Sequence, residues 1–136
     1  MRIAGFLRNT VAGFTILVAL WAWETTSAIA EDLSEPSRVV NAYLTSLING
    51  DTRQLTMLID GKMKKNNKQL VLNPDTYSRF LRDYYKGVNA VLEDVVPEGS
   101  RMRARVRFEY PAQDSSTIDF ILAKRAGEWR IVDEVY

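Results

Sequence analysis

The hydrophobic pattern of this 136-residue chain changes its period at Val88, and that change constrains the fold more than any other feature. Before Val88, apolar residues recur three and four positions apart, as on one face of a helix. After it, apolar and polar residues alternate, most clearly over residues 101–110. A strand with this alternation has one dry face and one solvated face, which is typical of antiparallel sheets. The two patterns together predict an α+β domain, with helices packed on one face of a curled antiparallel sheet.

Three helices are predicted before the sheet. The first begins at Ser34 or Ser37, with Pro36 in its first turn, and ends at Asn49-Gly50. The second is capped by Asp51 with Gln54 and ends at Asp60-Gly61. The third begins at Asn73-Pro74 and ends at Gly87. Residues 62–73 are mostly polar and basic, and we expect a loop there that could include a brief strand at 70–72.

Four strands are predicted over residues 88–96, 101–110, 117–124 and 128–136. A two-residue turn at Ala126-Gly127 joins the last two strands and sets the register between them. The predicted pairs are Leu122 with Ile131, Phe120 with Asp133 and Ile118 with Val135. A slip by one residue would turn the apolar side chains to the wrong face, so this register is favoured. It places Asp133 on the apolar face, beside Trp129, Ile131 and Val135.

The first thirty residues have the three parts of a secretory signal peptide in order. Arg2 and Arg8 give a basic start, residues 11–23 are uncharged and mostly apolar, and Ala28-x-Ala30 matches a cleavage site. The apolar run is shorter than the ~20 residues that a membrane-spanning helix needs, so no stable anchor is expected after cleavage. We therefore expect a periplasmic or secreted protein, cleaved after Ala30, with one domain over residues 31–136.

Composition excludes several kinds of chemistry. The chain has no Cys and no His, which removes disulfides, thiol nucleophiles and the commonest metal ligands. Its net charge of +1 argues against nucleic-acid binding, which depends on a basic excess. No phosphate-binding loop or metal-ligand spacing is present, so we expect no cofactor and no metal. Any catalysis would depend on Asp, Glu, Lys, Tyr or Ser.

The order of elements resembles that of the nuclear-transport-factor-2-like superfamily, which has a cone-shaped, cystatin-like fold. The resemblance lies in the closing pattern Gly127-Glu128-Trp129-Arg130-Ile131-Val132-Asp133 and in the opening pattern Pro36…Val39-Val40…Tyr43-Leu44…Gly50-Asp51. That superfamily includes isomerases, dehydratases, ligand carriers and toxin-neutralising proteins. The resemblance therefore implies a fold and a pocket but no particular reaction. It also implies that a homodimer through the sheet is possible.

Asp133 and Tyr43 are the candidate catalytic residues. A carboxylate on an apolar face is partly desolvated, as a general acid or base requires. The resemblance implies catalytic acids inside the cone, and it places Tyr43 like the hydrogen-bond donor of ketosteroid-isomerase-like members. The alternative is structural, with Asp133 solvated near the sheet end and the Tyr43 ring in the core. Asp119 is predicted on the opposite face, so no pair of acids is expected.

Two further groups of residues are candidates for binding. The predicted pocket lining is Tyr77, Tyr84, Phe108, Phe120 and Trp129. On the solvated face, Arg101, Arg103, Arg105 and Arg107 could bind an anionic surface or a partner protein. The alternative for these arginines is an ordinary solvated face, balanced by Glu109, Asp119 and Glu134. Ile121, Val132 and Tyr136 are predicted on that same face, which would suit a dimer.

The leading hypothesis is an exported, non-enzymatic domain that binds a small apolar ligand or a partner protein. Missing His and Cys, and the lack of paired acids, favour binding over catalysis. One alternative is a cofactor-free isomerase or dehydratase that uses Asp133 as the base and Tyr43 as the donor. Others are a periplasmic carrier of lipids or amphiphiles and a toxin-neutralising protein.

Overall fold

Five helices pack on one face of a four-stranded antiparallel sheet in the computed structural model, which describes residues 32–136. The signal peptide predicted over residues 1–30 lies outside this range. A 3-10 turn at Asp32–Ser34 is followed by α1 (Pro36–Asn49), α2 (Thr52–Leu58), α3 (Gly61–Asn66), α4 (Gln69–Leu72) and α5 (Pro74–Tyr84), and then by β1 (Asn89–Glu98), β2 (Arg101–Glu109), β3 (Ser116–Arg125) and β4 (Glu128–Val135). None of the helices in this range is long and apolar enough to cross a membrane. The predicted α+β class is confirmed.

The predicted loop at 62–73 is wrong, because two short helices occupy most of it. α3 and α4 each contribute one well-buried apolar side chain to the core, Met63 and Leu70 respectively. Asn67 joins the two helices and donates from its side-chain amide to the carbonyl oxygen of Met63, at 2.7 Å. A single buried residue per helix leaves no periodic stripe, so the helical pattern could not be recognised from the sequence.

The end of α1 is held close to α5. Gly50 has a φ of +66°, the left-handed conformation that commonly ends helices, and the predicted stop at this position is confirmed. The hydroxyl of Ser78 in α5 donates to the carbonyl oxygen of Gly50 at 2.6 Å. The backbone N–H of Gln54 donates to the carboxylate of Asp51 at 3.1 Å, which confirms the predicted cap of α2. The hydrogen bond between Ser78 and Gly50 sets the separation of α1 and α5 at one end.

The sheet has the strand order β1-β2-β3-β4, with α1 contacting β1, β2 and β4. The core lies between the helices and the inner face of the sheet. Its largest fully buried side chains are Phe108, Phe120, Leu55, Leu58, Met63, Leu122, Ile131, Val39, Val40 and Val106. A smaller apolar cluster of Ile121, Ala123 and Val132 lies apart from that core.

The hairpin of β3 and β4 begins in the predicted register and then departs from it. Leu122 pairs with Ile131 as predicted, but Phe120 pairs with Glu134 and Ile121 with Asp133. A β-bulge causes the difference, because Val132 has no pairing partner on β3. The extra residue reverses the alternation of side chains beyond it. The predicted pairing of Phe120 with Asp133 is therefore wrong, and Glu134 is the acid on the inner face.

The predicted pairing of Ile118 with Val135 is also wrong, for the same reason. Val135 pairs with Asp119, on the outer face, and its side chain is exposed. The bulge also changes the side of Tyr136. The sequence predicted Tyr136 on the outer face, whereas the structure places it at the inner side, with its hydroxyl near Glu134.

Candidate functional site

A cavity of about 320 Å³ lies between α1, α5 and the inner face of the sheet. Its lining is mainly aromatic and apolar and comprises Tyr43, Leu47, Asn67, Tyr77, Phe80, Leu81, Tyr84, Tyr85, Phe108, Ile118, Phe120, Glu134 and Tyr136. Phe80, Tyr84 and Tyr136 are exposed and form its mouth. Apolar walls with a few convergent polar groups are the usual character of a small-molecule site.

Glu134 is the only charged residue among the described residues that line the cavity. It lies on β4 opposite Phe120, where the bulge has turned it inward. One oxygen of its carboxylate accepts a hydrogen bond from the Tyr136 hydroxyl at 2.9 Å. Its backbone N–H donates to the carboxylate of Asp133 at 2.9 Å, which steadies the bulge. The cavity therefore has one negative charge at a defined place in its wall.

Tyr43 brings a buried phenol from α1 to the same cavity. Its ring meets Phe120 edge to face, with centroids 5.4 Å apart. Burial raises the pKa of the Tyr43 phenol well above its ordinary value, and the negative charge of Glu134 raises this pKa further. The Tyr43 hydroxyl forms no hydrogen bond with any group in the described part of the chain. Every fully buried polar side-chain atom in that part does have a partner, so the Tyr43 hydroxyl is not fully buried. It must therefore reach the open space of the cavity, as a neutral donor.

Tyr77 and Asn67 add a second polar contact to the cavity. The Tyr77 hydroxyl lies 3.5 Å from the side-chain oxygen of Asn67, to which it donates. Burial raises the pKa of Tyr77, with a smaller contribution from the charge of Glu134. Asn67 was not among the predicted site residues, because it lies in the stretch that the sequence predicted to be a loop. Its position depends on α3 and α4.

Aromatic rings form a continuous series along one wall. The centroids of Tyr77 and Phe80 are 5.7 Å apart, those of Phe80 and Tyr84 are 5.7 Å apart, and those of Tyr84 and Tyr85 are 4.8 Å apart. Tyr85 then lies 6.0 Å from Phe108 on β2. The spacing of three and four residues along α5 puts Tyr77, Phe80 and Tyr84 on one side of the helix. Burial is the main cause that raises the pKa of Tyr85.

The structure separates the two predicted catalytic candidates. Tyr43 lines the cavity, whereas Asp133 pairs with Ile121 on the outer face of the sheet. The carboxylate of Asp133 lies 3.7 Å from the ammonium of Lys62. Glu134, which faces the cavity in its place, was missed because a bulge of one residue leaves no mark in the alternation of this short strand.

Four of the five predicted lining residues are in the cavity wall: Tyr77, Tyr84, Phe108 and Phe120. Trp129 is not. It pairs with Lys124 close to the turn of the hairpin, is half-buried against the core, and lies 5.6 Å from the Lys124 ammonium. The hairpin turn and the cavity are at different places along β4, so a residue on the correct face can still be distant from the site.

Three of the four candidate arginines on β2 are already paired with acids. The ion pairs join Arg103 to Glu98 and Asp119, Arg105 to Asp119, and Arg107 to Glu93 and Glu109. Hydrogen bonds from Arg105 and then Arg103 lower the pKa of the Asp119 carboxyl. Arg101 is exposed and makes no ion pair within residues 32–136. Glu134, expected to balance these arginines, is on the other face of the sheet.

Within the described range, no group of three or more acidic residues is arranged to hold a metal ion.

No protein-family model matches the sequence, and no curated protein matches it. Solved structures do match. A protein from Campylobacter jejuni, provisionally described as an NTF2-like transpeptidase, is 18% identical with a TM-score of 0.53, over 72% of this chain and 97% of its own. An NTF-2-like protein of unknown function from Silicibacter pomeroyi is 17% identical with a TM-score of 0.52, over 82% of this chain and 95% of its own. The predicted nuclear-transport-factor-2-like fold is thereby confirmed.

Proposed function

We propose that this NTF2-like domain binds a small organic molecule in the cavity between α1, α5 and the sheet. The observation that carries the proposal is the cavity itself, about 320 Å³ in volume with mainly aromatic walls. This volume is within the range of small-molecule sites, at its lower end. Two polar groups that face the same space, the Glu134 carboxylate and the Tyr43 hydroxyl, can orient the ligand. A binding module with an apolar, polar-tipped ligand fits these features best.

The ligand-binding proposal includes where the protein works. The charged start, apolar run and small-residue cleavage site within residues 1–30 support export to a periplasm, with release after Ala30. A domain without disulfides depends on its hydrophobic core, and the ten large side chains buried here supply one. The homodimer and the toxin-neutralising role stay predictions that no contact in the described residues addresses.

A cofactor-free isomerase or dehydratase is the second candidate, because Glu134 and Tyr43 approach one space from opposite walls. In such a reaction Glu134 would take a proton from a carbon next to a carbonyl group. Tyr43 would donate a hydrogen bond to the oxygen as negative charge develops there. Glu134 would then return the proton to another carbon. This role belongs to Glu134 because Asp133 faces outward.

Native mass spectrometry of protein made from the full-length chain in its natural host tests the binding proposal. We expect a small-molecule adduct, or, where the ligand is lost during purification, binding of an uncharged apolar dye. Ile118→Trp should abolish both, since it fills the cavity from β3. Met57→Trp is the matched control, because it adds the same bulk at an exposed position on α2. A clean apo mass together with no dye binding would refute the proposal.

The isomerase candidate has a separate test. Exchange of carbon-bound hydrogen for deuterium in a bound ketone should be catalysed by the wild-type protein and lost in Glu134→Gln. Asp133→Asn is the control, because it removes a neighbouring carboxylate that faces away from the cavity. Exchange that survives in Glu134→Gln would refute the role of Glu134 as the base, and absence of exchange in the wild-type protein would leave the domain as a binding module.

A further inference from the structure

We infer that the cavity selects an organic cation, a substituted ammonium group with an apolar body, over neutral and anionic molecules of the same shape. This inference rests on the ligand-binding function proposed above and names the class of ligand. It combines two features of the wall: a carboxylate without a cationic partner and a set of aromatic rings around the same space.

Glu134 is an exception among the acids of β3 and β4. Asp119 forms ion pairs with two arginines, and Asp133 lies near Lys62. Glu134 forms no ion pair within residues 32–136, and its carboxylate accepts only the Tyr136 hydroxyl as a side-chain donor. None of the described residues that line the cavity is Lys or Arg. A negative charge among aromatic rings, with no cationic side chain near it, is stabilised by a cation, and the ligand can supply one.

The aromatic rings add to the same preference. The faces of Phe and Tyr rings carry negative charge density and attract cations within about 6 Å of the ring centre. Tyr43, Tyr77, Tyr85 and Phe108 contribute rings to the wall, and Tyr84 contributes one at the mouth. An aromatic enclosure of this kind is a recognised way to bind quaternary ammonium groups. The tyrosine hydroxyls can form hydrogen bonds with a polar tail on the ligand.

The two other classes of ligand are each disfavoured by the charge. An anion would be repelled by the negative charge of Glu134, which no cation in the described part of the chain balances. A neutral apolar molecule would displace water from the carboxylate without replacing its interactions, which costs free energy. A cation avoids both penalties. Charge therefore decides the preference, and the aromatic walls determine the size and shape that fit.

The test compares choline with 3,3-dimethylbutan-1-ol, which has the same shape with carbon in place of the charged nitrogen. Isothermal titration calorimetry on protein made from the full-length chain should give an affinity for choline at least about tenfold higher. Glu134→Gln should lower the affinity for choline about tenfold or more, and it should leave the affinity for the alcohol unchanged or raise it, because an amide is less costly to desolvate than a carboxylate. Tyr84→Leu should also weaken choline binding, because it removes a ring at the mouth.

Asp133→Asn is the matched control for charge. It removes one negative charge from the next residue of β4, on the face away from the cavity, so choline should bind as it does to the wild-type protein. Equal affinities for choline and the alcohol would overturn the inference and leave the binding function standing. Dye binding without choline binding at millimolar concentration would overturn it in the same way. Equal losses in Glu134→Gln and Asp133→Asn would overturn it as well, because the net charge of the domain would then explain the preference. Absence of every ligand, including the uncharged dye, would refute the proposed function itself.

Discussion

Gly50→Ala should destabilise the domain severely, because Gly50 lies against α5 with no room for a side chain. Two separate costs arise. Alanine at a φ of +66° costs about 1–2 kcal/mol. Its methyl group would also lie 2.5 Å from the carbonyl oxygen of Ser78 and 2.8 Å from Cγ of Arg82. The oxygen belongs to the backbone of α5, so the helix itself must move.

The steric cost is comparable to that of overpacking a core, about 1–3 kcal/mol. With the conformational cost, we expect a loss of about 2–5 kcal/mol in the free energy of unfolding. That is a large part of the stability of a small domain. Movement of α5 would also displace the hydrogen bond from Ser78 to Gly50 and the rings that line the cavity. Ligand binding should therefore weaken together with stability.

Gly99→Ala separates the two costs. Gly99 has a φ of +63°, so alanine there has nearly the same backbone penalty, but no heavy atom lies within 4 Å of the added methyl group. Urea denaturation followed by circular dichroism measures both variants, with the slope as the check on two-state unfolding. We expect Gly50→Ala to lose at least about 1 kcal/mol more than Gly99→Ala. Equal losses would show that α1 does not approach α5 tightly at Gly50, and would refute a steric cost at this position.

Three further predictions concern the core, the phenols and the outer face. Phe120→Ala should lose about 3–5 kcal/mol in urea denaturation, because Phe120 is 1% exposed, whereas the half-buried Trp129→Ala should lose less; the reverse order would contradict the described burial. The free energy of unfolding should fall as pH rises above about 10, because Tyr43 keeps its proton in the folded state at a pH where the unfolded chain has lost it. Tyr43→Phe should reduce that slope, and an unchanged slope would show that Tyr43 is not buried as described. The lowered pKa of Asp119 stabilises the folded state above the ordinary aspartate pKa, and this stability is lost as pH falls through the lowered pKa. Asp119→Asn should therefore flatten the acid side of the curve of unfolding free energy against pH. Near neutral pH it should lose less than about 1 kcal/mol, because its partner Arg105 is exposed. A larger loss at neutral pH would mean that the ion pairs on this face are structural.

The sequence by itself determined the class of fold and the places where most elements begin and end. The change of period at Val88 is a local pattern, and it separates helices from strands in the structure as it does in the sequence. Gly50 and Asp51 mark helix ends through their own backbone and side-chain chemistry, which needs no distant partner. The turn at Ala126-Gly127 set the first pairs of the hairpin, and Leu122 does lie opposite Ile131.

Only the tertiary structure decided which acid faces the cavity. Alternation predicts the inward side of a strand for as long as each residue has one partner, and Val132 has none. The bulge lies where the chain before α3 meets the edge of β4. Ile59 forms an isolated parallel bridge with Ile131, the N–H of Asp60 donates to the carbonyl oxygen of Ile131 at 2.9 Å, and Gly61 lies against Val132.

These contacts join residues about seventy positions apart, so no local pattern reports them. The same is true of α3 and α4, which are helical because Met63 and Leu70 find the core, and of Asn67, which reaches the cavity only through them. Local spacing determined which residues could face inward. Packing between distant segments then turned Glu134 toward the aromatic cavity and Asp133 away from it.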